Sequence, residues 1–233
     1  AYIEGGPTPV TNGHLGGAWP DAGGFVGPNP TEQATIMYYL KNRVNNGDVT
    51  IEIYNVEGRM LVDLPGTKRK GINKVNWDMR IHPPRVAEGG AKADWASTVG
   101  PMVLDGTYKV KIVTPTGIAE GKLELVPDKM GCITKDERKQ NAEIVERVFK
   151  MEEELAIVMD SVLAEQANVK EFTGVAPIVQ EYFDSLENIR AYIVPVKTGR
   201  SVLFADEEKL RDKISDIYYG VNFYEGLPTT SQV

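Results

Sequence analysis

The chain has 233 residues, 42% apolar and 25% charged, which is enough for one large domain or two small ones and excludes wholesale disorder or a fibrous repeat. Its net charge of -7, with no clustered basic stripe, argues against binding nucleic acid or anionic lipid, both of which need Lys and Arg against phosphate. No apolar run reaches the roughly 18 to 20 residues that span a bilayer, and one cysteine, Cys132, with only His14 and His82, provides neither an intrachain disulfide nor a Cys/His zinc site.

Composition divides the chain. Of its 23 glycines and 14 prolines, 13 fall in the first 30 positions, so residues 1–30 read as a linker or draped arm that Trp19 and Phe25 pin locally. Residues 1–133 carry equal numbers of acidic and basic side chains, whereas residues 134–233 carry 19 acidic and 12 basic ones. The chain starts at Ala1 without an initiator Met and ends on a turn at 226–233. It therefore reads as a matured product or an excerpt, with a further helix expected beyond it.

Strand patterns begin after Thr31. Residues 34–40 are rich in β-formers, and Val49, Ile51 and Ile53 alternate at period 2, the mark of a half-buried sheet. Asn55-Val56-Glu57-Gly58 then predicts a short hairpin loop with Gly58 at positive φ, leading into a strand at 59–64. Residues 72–80 predict another strand, with Val75 and the core anchor Trp77 on one face and Asn76 and Asp78 on the other. Residues 81–101 have no period and form a long loop containing Trp95. Tyr108, Val110 and Ile112 alternate again, a turn at 115–117 follows, and Leu123 with Leu125 closes the last strand. Six or so short strands with turn signals point to an antiparallel sandwich.

Helical periodicity starts after Cys132. Thr134 and Glu137 have the spacing of a capping box. Ile144, Val148, Met151, Leu155, Val158 and Val162 step by 4, 3, 4, 3, 4, an a/d seam that requires partner helices. Tyr182, Leu186, Ile189 and Ile193, after Pro177 in a first turn, supply one; Leu210, Ile214, Ile217 and Val221 supply another. The fold class is therefore α+β: an antiparallel Ig-like β-sandwich over 31–130, then a helical bundle or coiled-coil hairpin over 131–233. No repeat of 20 to 50 residues is visible.

Chemistry is sparse. His14 and His82 lie in Gly- or Pro-rich surroundings without a Gly-x-Ser-x-Gly elbow, so no triad is read. Asp78, Glu88, Asp94 and Asp105 flank the long loop and could form a carboxylate pair, although turn-forming aspartates do the same locally. The Gly-rich arm lacks a phosphate-loop pattern. Glu152-Glu153-Glu154 and Asp206-Glu207-Glu208 lack the oxygen spacing of a calcium loop and read as solvated helix faces. Cys132 has no partner thiol. Tyr38, Tyr39, Trp77 and Tyr108 read as core, leaving Trp95 as the one aromatic placed to stack on a sugar. No catalytic, cofactor-binding or metal-ligating residue is assigned, and no cofactor is expected.

The residues Gly27-Pro28-Asn29-Pro30, the strands at 34–40 and 49–53, Gly71-Ile72-Asn73-Lys74-Val75-Asn76-Trp77-Asp78-Met79-Arg80, Pro83-Pro84, and Gly100-Pro101 through Gly106-Thr107-Tyr108 form a pattern. It resembles the C-terminal region of large bacterial sortilin-like, BNR-repeat β-propeller proteins, often labelled glycosyl hydrolases. Residues 210–219 and 226–229 are similar to that family's closing helical segment. The strand half alone is similar to the FlgD-like immunoglobulin module. The resemblance implies an upstream propeller that holds any cleft, export to the periplasm, cell surface or medium, and no catalytic residue in this chain. The function it leads to is a non-catalytic interaction and spacer module that docks other protein chains. The alternative is a carbohydrate-binding accessory module of a secreted glycoside hydrolase, with Trp95 and the 81–101 loop on a glycan.

Overall fold

The computed structural model describes residues 33–88, 99–127, 133–172, 174, 176–194, 209–224 and 226–229. His14, Trp19, Phe25, Asp94, Trp95, Cys132 and Asp206-Glu207-Glu208 lie outside the described residues, as does the 1–30 arm. The chain is α+β and divides into two compact units, residues 1–80 with 104–132, and residues 81–103 with 133–233. The expected continuous span of 31–130 is thus interrupted, because the 81–103 segment groups with the helices.

Among the described residues, the first unit holds six antiparallel strands in two sheets. Strands β1 (Ala34–Leu40) and β4 (Gly71–Trp77) form one; β3 (Met60–Pro65), β2 (Thr50–Tyr54), β5 (Gly106–Thr114) and β6 (Gly117–Leu125) form the other, in that order. Alternation dictates the packing. Ala34, Ile36 and Tyr38 of β1, Ile51 and Ile53 of β2, and Tyr108 and Val110 of β5 are buried, and their neighbours in sequence are not. Trp77 is fully buried and meets Tyr108 edge-on, with ring centroids 5.7 Å apart, so the two sheets share a sandwich-like core. Tyr39 departs from the expectation. It is 67% exposed, because Tyr38 takes the inward side and a strand cannot turn two successive residues the same way.

Turn chemistry fixes the register. Gly58 adopts φ 84°, its N–H donates to the Asn55 carbonyl at 3.1 Å, and a bulge follows Ile53. A part-buried polar knot ties the 66–71 turn: Asn73 Nδ2 donates to the Arg69 and Gly71 carbonyls, Thr67 Oγ1 donates to Asn73 Oδ1 at 2.6 Å, and Tyr38 Oη donates to the Thr67 carbonyl at 2.6 Å. At the head of β5, Tyr108 Oη donates to the Leu104 carbonyl at 2.5 Å. Burial, with Asp105 close by, pushes that hydroxyl up to about 12, so it remains a protonated donor at neutral pH.

In the second unit α1 spans Lys135–Lys170, α2 Pro177–Ile193 and α3 Leu210–Asn222. The capping box forms as spelled: Glu137 N–H donates to Thr134 Oγ1 at 3.2 Å, and Thr134 N–H donates to Glu137 Oε2 at 2.8 Å. The Thr134 N–H and then its hydroxyl, both donating to Oε2, hold the Glu137 carboxyl below its ordinary value. Pro177 occupies the first turn of α2, where its missing N–H costs nothing. Helix α1 contacts both α2 and α3, which scarcely touch each other. Asn141 Nδ2 donates to the Val221 and Tyr224 carbonyls, and Ser215 bonds Glu152, so α3 runs antiparallel to α1. Gln166 bonds Glu187, while Ile193 joins the core around Met159, so α2 runs back along the other half of α1.

Candidate functional site

Half of the helical core lies one residue on from where apolar spacing puts it. On α1 the buried positions are Asn141, Val145, Val148, Glu152, Leu155, Met159 and Val162, with Phe149 and Ala156 beside them. They repeat at 4, 3, 4, 3, 4, 3 and share Val148, Leu155 and Val162 with the expected seam. In place of Met151 and Val158, both 48% exposed, stand Glu152 and Met159. Helix α3 shifts the same way: Arg211, Ile214, Ser215, Tyr218, Val221 and Asn222 are buried, while Ile217 is 43% exposed. On α2, Leu186 and Ile193 are buried as expected, but Tyr182 and Ile189 are exposed.

The shift has a polar cause. Glu152 is 1% exposed and Ser215 3% exposed, and Ser215 Oγ donates to Glu152 Oε1 at 2.6 Å, a short bond inside the α1–α3 contact. Burying a carboxylate is costly unless it is hydrogen-bonded, so this pairing selects one rotation and one axial register for the two helices. Sliding α3 by a turn would separate the two groups.

The same helix pair grips the described ends of the 81–103 segment, residues 81–88 and 99–103. Tyr218 Oη donates to the Val99 carbonyl at 2.8 Å, Asn222 Nδ2 to the Val99 and Gly100 carbonyls, and the buried Arg211 guanidinium to the Ala87 carbonyl at 3.3 Å. Ala87 enters the hydrophobic core of the helices, and Arg85 pairs with Asp160 of α1. Ile81 N–H donates to the Pro101 carbonyl at 3.0 Å and closes the loop on itself. No sequence motif marks this clamp, and it is built to hold backbone: its acceptors are main-chain carbonyls, and Glu152 and Ser215 are closed to solvent.

The described carboxylates nominated from sequence are divided between the two units. Asp78 is exposed and accepts the Arg80 amide at 3.2 Å, a turn contact. Asp105 is half-buried at the base of β5, in the same unit as Asp78, whereas Glu88 is exposed in the helical unit. Glu153 is half-buried and Glu154 exposed on α1, with Glu152 facing inward, so the acidic run is split between core and surface. His82 is exposed on the gripped loop. Among the described residues, no group of three or more His, Cys, Asp or Glu could hold a metal ion, and no helix is long and apolar enough to cross a membrane.

What the helices leave outside is a set of large apolar side chains: Met151 and Val158 on α1, Ile178, Tyr182, Ile189 and Tyr192 on α2, and Ile217, Tyr219 and Phe223 at α3, the last two stacked with centroids 4.7 Å apart. No protein-family model, curated protein or solved structure matches this chain.

Proposed function

We propose that this chain is a non-catalytic interaction and spacer module, an Ig-like sandwich followed by a helical bundle, carried at the C-terminal end of an exported sortilin-like β-propeller protein. The observation that carries the docking role is the second apolar seam. Met151, Val158, Tyr182, Ile189 and Ile217 have the spacing of a helix–helix contact, yet all five are exposed. The bond from Tyr108 to the Leu104 carbonyl, four residues upstream at the start of a strand, supports the Ig-like reading, since such sandwiches fix a corner this way. The resemblance of residues 25–233 to the region that follows the propeller supplies the parent and the exported location.

The mass of the native polypeptide tests the module reading. An antibody against this chain should detect, in the exported fraction of the source cells, a protein several times heavier than 25.7 kDa. A product of 25.7 kDa retained in the cytosol would end it.

A further inference from the structure

The outer face of the β1–β4 sheet is apolar where a solvated face would be polar. Met37 and Tyr39 of β1 and Ile72 of β4 are 67, 67 and 79% exposed, while Ile36 and Tyr38 turn into the core. Register places Tyr39 opposite Ile72, and Met37 opposite the exposed Lys74. With about 3.4 Å per residue along a strand and about 4.8 Å between strands, these four positions are the corners of a rectangle roughly 7 by 5 Å. The next pair is polar and satisfied within itself, Thr35 Oγ1 donating to Asn76 Oδ1 at 3.1 Å.

At its other end the patch runs into bases. Leu40 pairs with Gly71, so Lys41 and Lys70 follow the last pair of the ladder. Val44 N–H donates to the Lys68 carbonyl at 3.1 Å, which lays the 41–44 segment beside the 67–70 turn. Bases that stand in two separate stretches of sequence, Lys41 and Arg43 in one, Arg69 and Lys70 in the other, thus gather at one end of one sheet. All four are exposed, and neither they nor Lys74 make an ion pair with a described residue. Over residues 33–48 and 65–80 the acids are Asp48 and Asp78 alone. Asp48 is taken by Lys68 at 2.7 Å, and Asp78 lies past the far end of β4, against the Arg80 amide. Glu52 and Asp63 belong to the other sheet, where they face each other across β2 and β3. The bonds from Asn73 to the Arg69 and Gly71 carbonyls already hold the basic turn, so binding need not order it.

Apolar side chains beside unmatched bases define their occupant. A purely ionic polymer would leave Met37 and Ile72 uncovered. An anionic bilayer would face the whole chain, whose net charge is -7, whereas a peptide meets the patch alone, since salt screens charges beyond roughly 8 to 10 Å. A second copy docked face to face would set base against base. We propose that the outer face of the β1–β4 sheet, formed by Met37, Tyr39, Ile72 and Lys74 with the bases of the adjoining turn, docks an acidic segment of a partner protein that sets apolar side chains among its carboxylates. This surface lies on the sheet unit and does not depend on the helical seam that carries the docking role above.

The test uses the full chain and three short synthetic peptides, followed by fluorescence anisotropy: a Leu-Phe-Leu run flanked by Glu, the same run flanked by Lys, and the Glu peptide with Ser in place of the run. The Glu peptide with its apolar run should bind and weaken as salt rises, with the Ser peptide at least about tenfold weaker and the Lys peptide not bound. Lys70→Glu with Lys74→Glu should weaken the Glu peptide by about tenfold or more and let the Lys peptide bind, a gain that misfolding cannot produce. Tyr39→Thr with Ile72→Thr, which keeps residues suited to strands, should weaken it by a similar factor. No binding, equal binding of the Ser peptide, tighter binding of dextran sulfate or phosphatidylglycerol vesicles, or a dimer in sedimentation that Lys70→Glu abolishes would each overturn the proposal. A heavy exported parent whose chain ignores the peptides discards this surface and leaves the module reading intact. A free-standing cytosolic chain that binds them does the opposite.

Discussion

Gly100→Ala should unlatch the 81–103 segment from the helices and cost on the order of 3 kcal/mol or more, the upper range for overpacking a closed site. A β-carbon at position 100 would overlap the Ile81 carbonyl oxygen and come within 2.8 Å of the His82 carbonyl oxygen. Both obstacles are backbone, so no rotamer change relieves them. The segment cannot retreat easily either. Ile81 N–H is tied to the Pro101 carbonyl, and Tyr218 and Asn222 hold the Val99 and Gly100 carbonyls from the far side. Urea unfolding should show the loss, and amide exchange should rise first at Ile81, whose N–H donates to the Pro101 carbonyl, and in α3. Wild-type stability and exchange in the variant would contradict the clamp.

Trp77→Ala should destabilise the sheet unit by about 3 to 5 kcal/mol, the usual cost of removing a large aromatic from a closed core. Trp77 fills the space between the two sheets, meets Tyr108 edge-on, and donates from Nε1 to the Arg80 carbonyl at 2.8 Å. That bond spans Met79, a buried non-glycine residue at φ 61°, in the left-handed region that side chains rarely adopt. The indole thus fills the core and holds the exit of β4 in its conformation. Trp77→Phe should recover much of the packing but leave the Arg80 carbonyl without its indole donor, placing it between wild type and the alanine variant. Thermal melts followed by circular dichroism rank the three, and an alanine variant that melts with wild type would refute this assignment.

Much of the sheet unit was legible in the sequence because its rules are local. Period-2 alternation gave β2 and β5 their inward faces, Gly58 marked the bulged hairpin, and Trp77 had only one side of its strand available for burial. The ends of α1 and α2 were legible for the same reason, from the Thr134–Glu137 pair and Pro177. The helix seam was not legible. A reading that ranks positions by hydrophobicity chooses Met151 over Glu152 and Ile217 over Tyr218. The folded unit makes the reverse choice, and Ser215, far away in sequence, donates to the buried Glu152. Neither residue alone signals burial. The grip on residues 81–103 was hidden for a different reason: it uses the carbonyls of Ala87, Val99 and Gly100, and every residue has a carbonyl. Aperiodicity marked the segment as a loop and carried no information about what holds it.

Which of two adjacent stripes on α1 faces inward decides whether the exposed apolar seam exists, and thiol labelling reads that choice directly. In a Cys132→Ser background, Val158→Cys and Met159→Cys place one thiol at neighbouring positions, the first 48% exposed and the second fully buried. Reaction with a maleimide or a disulfide reagent under native conditions should be fast for Val158→Cys and slow for Met159→Cys, with the difference abolished in denaturant. Fast labelling at 159 with protection at 158 would mean that the apolar seam is the core, and the docking face proposed for it would not exist.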